Sequence, residues 1–155
     1  MKNLTRPFLY IVFGFYIIML TQRVLFKYQI NMMVERFGDF DLALHFSNFV
    51  PFDTIYFYLF EAEVHINTII SNLAGNIIGF IPFGILVPLV FNSFRNLKKT
   101  VLAAFCLSFT YECLQFLFVI GSFDVDDLIL NTLGGLIGYL LVKTSIAKVN
   151  FFETL

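Results

Sequence analysis

Four apolar stretches divide this chain, at residues 8–26, 66–91, 100–120 and 126–146. Each is close to the ~20 residues that an α-helix needs to cross the hydrocarbon of a bilayer. Backbone amides find no water in that layer, so a spanning segment must close its hydrogen bonds within itself. That leaves helices as the building blocks. Hydrophobic residues make up 59% of the 155 positions and charged residues only 14%, which is too apolar for a water-soluble domain. The expected fold is an all-α membrane helical bundle with about four transmembrane helices, forming one domain over 1–155. The first stretch follows Lys2 and Arg6, as a signal peptide does. It has no small-residue cleavage pattern behind it and is read as a retained anchor.

Lysine and arginine set the orientation. Lys2 and Arg6 precede the first stretch, Arg95, Lys98 and Lys99 fill the link between the second and third, and Lys143 and Lys148 follow the fourth. With four spans these groups share one side, expected to be cytoplasmic, together with both termini. The link between the third and fourth stretches has no Lys or Arg and carries Asp124, Asp126 and Asp127. It is expected outside, as is the long loop 27–65. That loop holds Lys27, Glu35, Arg36, Asp39, Asp41, Asp53, Glu61 and Glu63, yet its stretch 46–60 is rich in Phe and Tyr. Such a segment is expected to lie in the outer interface or to dip back into the membrane.

The net charge of −1 offers no basic surface for nucleic acid. Cys106 and Cys113 read as small apolar packing residues. His45 and His65, in or beside the loop, read as solvent-facing rather than as ligands.

Polar side chains inside the apolar stretches carry the functional signal. A carboxylate at mid-membrane costs ~2.5–3.5 kcal/mol on the milder insertion scale, so a chain keeps one only where partners satisfy it. Asn72 and Asn76 sit four apart in the second stretch, Glu112 and Gln115 three apart in the third, and Asn131 follows the Asp run in the fourth. At ~1.5 Å per helical residue, all of them fall roughly 8–15 Å below the outer ends of their spans. Three-to-four spacing keeps each pair on one helix face. Asp124, Asp127 and Asn131 share a face if the helix begins by Asp124; otherwise Asp124 or Asp126 caps it.

Gly75 with Gly79, and Gly134 with Gly138, are small-xxx-small pairs that allow close helix approach. Pro82 and Pro88 remove backbone donors, so the second span is expected to kink near 79–84. The bland reading of the asparagines is interhelical hydrogen bonding, and that of the Asp run is a solvated helix start.

Four motifs in order carry a family resemblance. They are Asn48-Phe49-Val50-Pro51-Phe52, then Asn72-Leu73-Ala74-Gly75-Asn76 continuing through Phe80-Ile81-Pro82-Phe83-Gly84, then Glu112-Cys113-Leu114-Gln115, then Phe123-Asp124-Val125-Asp126-Asp127 continuing through Asn131, Gly134 and Gly135. Together they resemble the VanZ-like family of bacterial membrane proteins over roughly two-thirds of the chain. Where that family commonly has an Arg before the Asp run, this chain has Gly121 and Ser122. The resemblance implies a multi-pass protein of the bacterial plasma membrane, and a link to teicoplanin-like glycopeptide resistance in founding members.

Two functional readings follow. In the first, Asn72, Asn76, Glu112, Gln115, Asp124, Asp127 and Asn131 line an outward-facing polar cleft for a cell-envelope lipid, a lipid-linked glycan or a glycopeptide antibiotic. Acids next to a phosphate then require a cationic ligand or a bridging metal. In the second, the protein is an enzyme on a lipid-linked precursor, with Glu112 as general acid or base and Asp124 and Asp127 holding a divalent cation. No nucleophilic triad, zinc motif or phosphate loop is present. A conduit for transport would need a dimer, and no internal repeat supports it.

Overall fold

Three of the four long helices begin at a residue whose side chain holds one of their first free amides. The computed structural model describes residues 2–25 and 38–153, with side chains placed over 6–25 and 38–144. Lys27, Glu35 and Arg36 of the expected loop, and the last residue of the expected first span, lie outside the described residues, as do the side chains of Lys2 and Lys148. The helices are α1 (Lys2–Leu25), α2 (Phe40–His45), α3 (Asp53–Tyr56), α4 (Ile66–Val90), α5 (Leu97–Leu117) and α6 (Val125–Glu153). A π-helical turn, Phe57–Glu61, extends α3, and a 3₁₀ turn, Asn92–Phe94, precedes α5. Four helices, α1, α4, α5 and α6, are long and apolar enough to cross a membrane.

His65 opens α4, its Nδ1 accepting the Asn67 amide at 3.2 Å. This gives one of the two histidines a capping role. Asn96 opens α5, its Oδ1 accepting the Lys98 and Lys99 amides at 3.0 and 3.4 Å. Asp124 opens α6, its Oδ1 accepting the Asp126 amide at 2.8 Å. A polar oxygen at this position satisfies donors that have no partner within the helix.

The third span begins and ends about three residues earlier than hydropathy places it. The Asn96 cap extends α5 through two lysines that an apolar window excludes. At the far end, Val119 takes the left-handed region, with φ 53°. Its amide bonds the Phe116 carbonyl at 3.2 Å, and the Ile120 amide bonds that of Gln115 at 3.0 Å. This is the Schellman closure usually made by glycine. Here a buried valine makes it, against the steric cost of a β-branched side chain at positive φ.

α4 and α6 run parallel and in the closest contact of any pair, with α5 antiparallel to both. A Cβ on Gly84 would sit 2.1 Å from the Gly135 carbonyl oxygen, and one on Gly138 2.1 Å from that of Ile81. A Cβ on Gly134 would sit 2.2 Å from the Ile77 oxygen. The backbones touch because there is no side chain between them, the small-residue packing of membrane helices. Gly134 and Gly138 behave as their spacing predicts. Gly75 and Gly79 do not share in this crossing. A Cβ at Gly79 would meet only Leu20 at 3.8 Å, and one at Gly75 would meet the Arg23 guanidinium at 3.0 Å.

α1 packs antiparallel to α4. Phe13 meets Phe91 edge-on with ring centroids 5.5 Å apart, and Tyr10 meets the same ring at 5.9 Å. Nearer the other end, the Tyr16 hydroxyl donates to the Gly79 carbonyl at 2.9 Å, beside the turn that Pro82 interrupts. α4 runs unbroken through both prolines.

Residues 38–62 pack across the ends of α5 and α6. Asn48 pairs with Asp124 in a short parallel bridge, the Asn48 amide bonding the Phe123 carbonyl at 2.7 Å and the Val125 amide bonding the Asn48 carbonyl at 3.0 Å. Phe49, Phe52, Tyr56 and Phe60 from this segment remain exposed.

Candidate functional site

Successive residues in a helix turn by about 100°, so Asp126 and Asp127 cannot serve the same neighbour. The first turn of α6 therefore distributes its acids. Asp124 stays at the cap, bonded by its own helix and by the Asn48 amide nitrogen at 3.0 Å. Asp126 is fully buried and faces residues 48–55, accepting the Phe52 and Ile55 amides at 2.5 and 3.1 Å. Asp127 faces the bundle interior, where the Asn76 amide nitrogen donates to it.

The interior side opens on a cavity of about 90 Å³ between α1, α4, α5 and α6. Its polar lining comes from Arg23, Ser71, Asn76, Glu112, Gln115, Asp127 and Asn131. Leu20, Val24 and Phe80 supply apolar wall. Glu112 is 1% exposed, Asn131 3% and Gln115 6%, so these three form the inner part. Arg23 and Ser71 are exposed and sit at the rim.

Each inner group is held by a neighbouring element. Glu112 accepts the Asp124 amide at 2.9 Å, tying α5 to the start of α6. Gln115 donates from its amide nitrogen to the Val24 carbonyl at 3.0 Å, tying α5 to the end of α1. Asn131 donates to the buried Ser108 hydroxyl at 2.8 Å. Beside them, the Thr21 and Tyr111 hydroxyls are 2.7 Å apart, a second polar contact between α1 and α5. These bonds fix the rotamers of the lining residues, which is the condition for a pre-organised site.

Of the seven residues expected to form the cleft, Asn76, Glu112, Gln115, Asp127 and Asn131 line the cavity. Asn72 does not; its amide folds back onto the Thr68 carbonyl of its own helix at 2.9 Å. Asp124 does not either, because capping α6 turns its carboxylate toward Asn48. Asp124 and Asp127, considered together as cation ligands, thus point to different partners. Among the described residues no three His, Cys, Asp or Glu side chains gather where they could hold a metal ion.

The sequence reading did not single out Arg23, and used Asn48 only within a motif. Arg23 lies in the last turn of α1, an ionisable side chain within an otherwise apolar span. That is the general mark of a functional position in a membrane helix. It brings a cation to the cavity from the first span rather than from a position ahead of the Asp run. Asn48 bonds Thr54 at 3.0 Å as well as Asp124, and its Oδ1 accepts the Val50 amide at 2.8 Å. It holds residues 48–54 against α6.

Comparison with known proteins agrees with the family resemblance. The family model described as VanZ/LLP1 matches residues 8–148. The chain belongs to the VanZ/LLP1 family. Protein VanZ of Enterococcus faecium is 33% identical to it over 135 residues, covering 87% of this chain and 73% of that relative. No solved structure matches it. Family membership and the four long apolar helices make this VanZ/LLP1 protein a membrane protein. The matched region contains all five of the expected residues that line the cavity, and Arg23 as well.

Proposed function

We propose that this protein binds the polar head of a cell-envelope lipid, or of a lipid-linked glycan or similar amphiphile, in the cavity between α1, α4, α5 and α6. The cavity would face outward across a bacterial plasma membrane. Binding there would influence susceptibility to teicoplanin-like glycopeptides, the link that the family resemblance implies.

The observation that carries the reading is the pairing of a fixed polar interior with an apolar surround. Glu112, Gln115 and Asn131 are almost wholly buried at the end of a membrane bundle, yet they line a space rather than fill it. Residues serving only to join helices would close against one another. Arg23 at the rim answers the objection that acids repel a phosphate, since it supplies a countercharge without a metal ion. The positive-inside distribution of Lys and Arg supports the outward orientation.

Mass spectrometry of what co-purifies with the wild type and with Glu112→Gln tests the reading. A discrete amphiphile retained by the wild type and depleted in the variant is the expected result. Retention of nothing beyond detergent and bulk lipid by the wild type would sink it. A second reading stands on the position of Glu112, a buried carboxyl held by the Asp124 amide at the cavity wall. That is a placement suited to a general acid or base on a lipid-linked precursor. Product released from such a precursor, and abolished in Glu112→Ala, would favour it.

A further inference from the structure

The apolar surface of this bundle does not stop where its long helices do. Phe105 and Phe109 are exposed on α5, their rings stacked with centroids 6.2 Å apart. Phe109 meets Phe123 of the α5–α6 link edge-on at 6.2 Å, and Phe123 stacks on Phe49 at 5.4 Å. These rings lead without a break from the lipid-facing flank of a spanning helix onto residues 49–60. There Phe49, Val50, Phe52, Tyr56, Phe57 and Phe60 are all exposed. Asp53 is the one charged side chain between residues 49 and 60. A contiguous exposed apolar patch marks a contact with lipid or with another protein.

The height of the patch along the bundle selects between these. Residues 48–55 hang on the start of α6: Asn48 pairs with Asp124, and the Phe52 and Ile55 amides bond Asp126. From Asp126, α6 runs seventeen residues to Lys143, roughly 25 Å of helix. Lys143 lies toward the end of the basic turn, whose Arg95 carbonyl accepts the Tyr139 hydroxyl. The hydrocarbon of a bilayer is ~30 Å thick. Measured from the basic end, the segment is reached before the far edge of the hydrocarbon. α4 gives the same answer. Its Asn76 touches Asp127, and ten uncharged residues then carry the helix outward to its start at Ile66. Even after the reach of two side chains, more than one helical turn of α4 stands beyond Asp127. Glu61 and Glu63 come just ahead of that start, where the chain meets water.

We propose that residues 49–60 form an aromatic wedge inserted into the acyl-chain layer of the leaflet at this end of the bundle, deeper than the outer end of α4. The occupant of the patch is lipid hydrocarbon, because the same aromatic surface on α5 already faces it. The Asp126 carboxylate makes the insertion possible. Backbone entering hydrocarbon cannot leave amides free, and the Phe52 and Ile55 amides belong to the open first turn of α3. Asp53 limits the depth, since its exposed carboxylate must reach head groups or water. The rings then sit about 5–10 Å into the boundary between head groups and acyl chains, the level of interfacial helices. Nothing in this inference depends on what the cavity binds.

The chain has no tryptophan, so Phe49→Trp, Tyr56→Trp and Ile66→Trp each carry a single fluorophore. All three positions are exposed, and the variants should melt as the wild type does. The full-length protein is reconstituted in phosphatidylcholine vesicles whose acyl chains carry bromine either near the ester or near mid-chain, with iodide as the aqueous quencher. Phe49→Trp and Tyr56→Trp should lose fluorescence to the brominated chains and be shielded from iodide. Mid-chain bromine should quench Phe49→Trp more than Ile66→Trp, which puts a residue outside the long helices deeper than the start of one of them. Should one of the two wedge probes fail to fold, the other decides. Quenching by iodide in place of bromine would overturn the wedge in favour of a water-exposed segment. Insensitivity to both quenchers would overturn it in favour of a protein contact, a second copy of this chain included. A wedge probe shallower than Ile66→Trp would overturn the depth assigned to it.

Discussion

The buried carboxylate of Asp126 caps a helix that belongs to another segment. Its two oxygens accept the Phe52 amide at 2.5 Å and the Ile55 amide at 3.1 Å, across 74 and 71 residues of chain. Phe52 is the N-cap of α3 and has no side chain able to cap it; its φ of 72° turns the chain into the helix. A capping carboxylate normally sits next to the donors it serves. Here it arrives from the first turn of α6 and fastens residues 52–55 to the bundle. Asp126→Ala strands two backbone donors, and the cost should be about 2–4 kcal/mol. Hydrogen exchange should report it as faster exchange at the Phe52 and Ile55 amides, with the amides of α4 little changed. Unaltered protection at those two positions would mean that some other contact holds the segment.

The α4–α6 crossing should tolerate no side chain at its contact glycines. Gly138→Ala puts a methyl 2.1 Å from the Ile81 carbonyl oxygen, which belongs to rigid helix backbone. Gly84→Ala does the same against Gly135. Either should cost about 1–3 kcal/mol or more, because the helices must move apart. Gly79→Ala meets its nearest atom at 3.8 Å and should be close to neutral. Thermal unfolding of the three variants in one detergent compares them directly, and a Gly79→Ala loss equal to that of Gly138→Ala would contradict the packing described.

Glu112 should be replaceable by glutamine but not by alanine as far as folding is concerned. Its Oε2 accepts the Asp124 amide, and a glutamine oxygen can accept the same bond. Glu112→Gln should therefore lose less than ~1 kcal/mol, while Glu112→Ala leaves a donor unmade and should lose about 2–3 kcal/mol. Melting temperatures separate the two. If glutamine proves as damaging as alanine, the negative charge itself is required for the fold.

Orientation is open to direct labelling. With Cys106 and Cys113 replaced, Ser122→Cys should react with a membrane-impermeant maleimide in intact cells. Ser93→Cys, in the turn between α4 and α5, should react only after permeabilisation. The reverse pattern would place the cavity on the cytoplasmic side and end the outward reading.

Much of the fold was legible because its causes are local. Hydropathy over twenty residues found all four long helices, and errors of about three residues at α5 came from a capping Asn96 and a Val119 closure that hydropathy does not weigh. The site was legible in part. Asn76, Glu112, Gln115, Asp127 and Asn131 could be found because a polar side chain in an apolar run must have a partner. Asn72 matched the same pattern, yet it finds its partner one turn back in its own helix. Spacing alone cannot tell those outcomes apart. Arg23 lay near the end of its span, where a charged side chain could equally reach water.

The sequence by itself determined a helical membrane bundle, the positions of its spans, and the clustering of polar groups toward one end. Those properties follow from the cost of apolar surface in water and of polar groups in hydrocarbon, which each segment meets separately. Only the tertiary structure decided how the three acids at the start of α6 are used. Asp124 caps its own helix, Asp126 holds residues 52–55, and Asp127 lines the cavity. The physical reason is angular. Adjacent helical side chains diverge by about 100°, so their roles depend on which neighbours the packing of α4 against α6 brings to each side. That packing is set by backbone contact at Gly84, Gly134 and Gly138, and it is the same contact that brings Asn76 to Asp127.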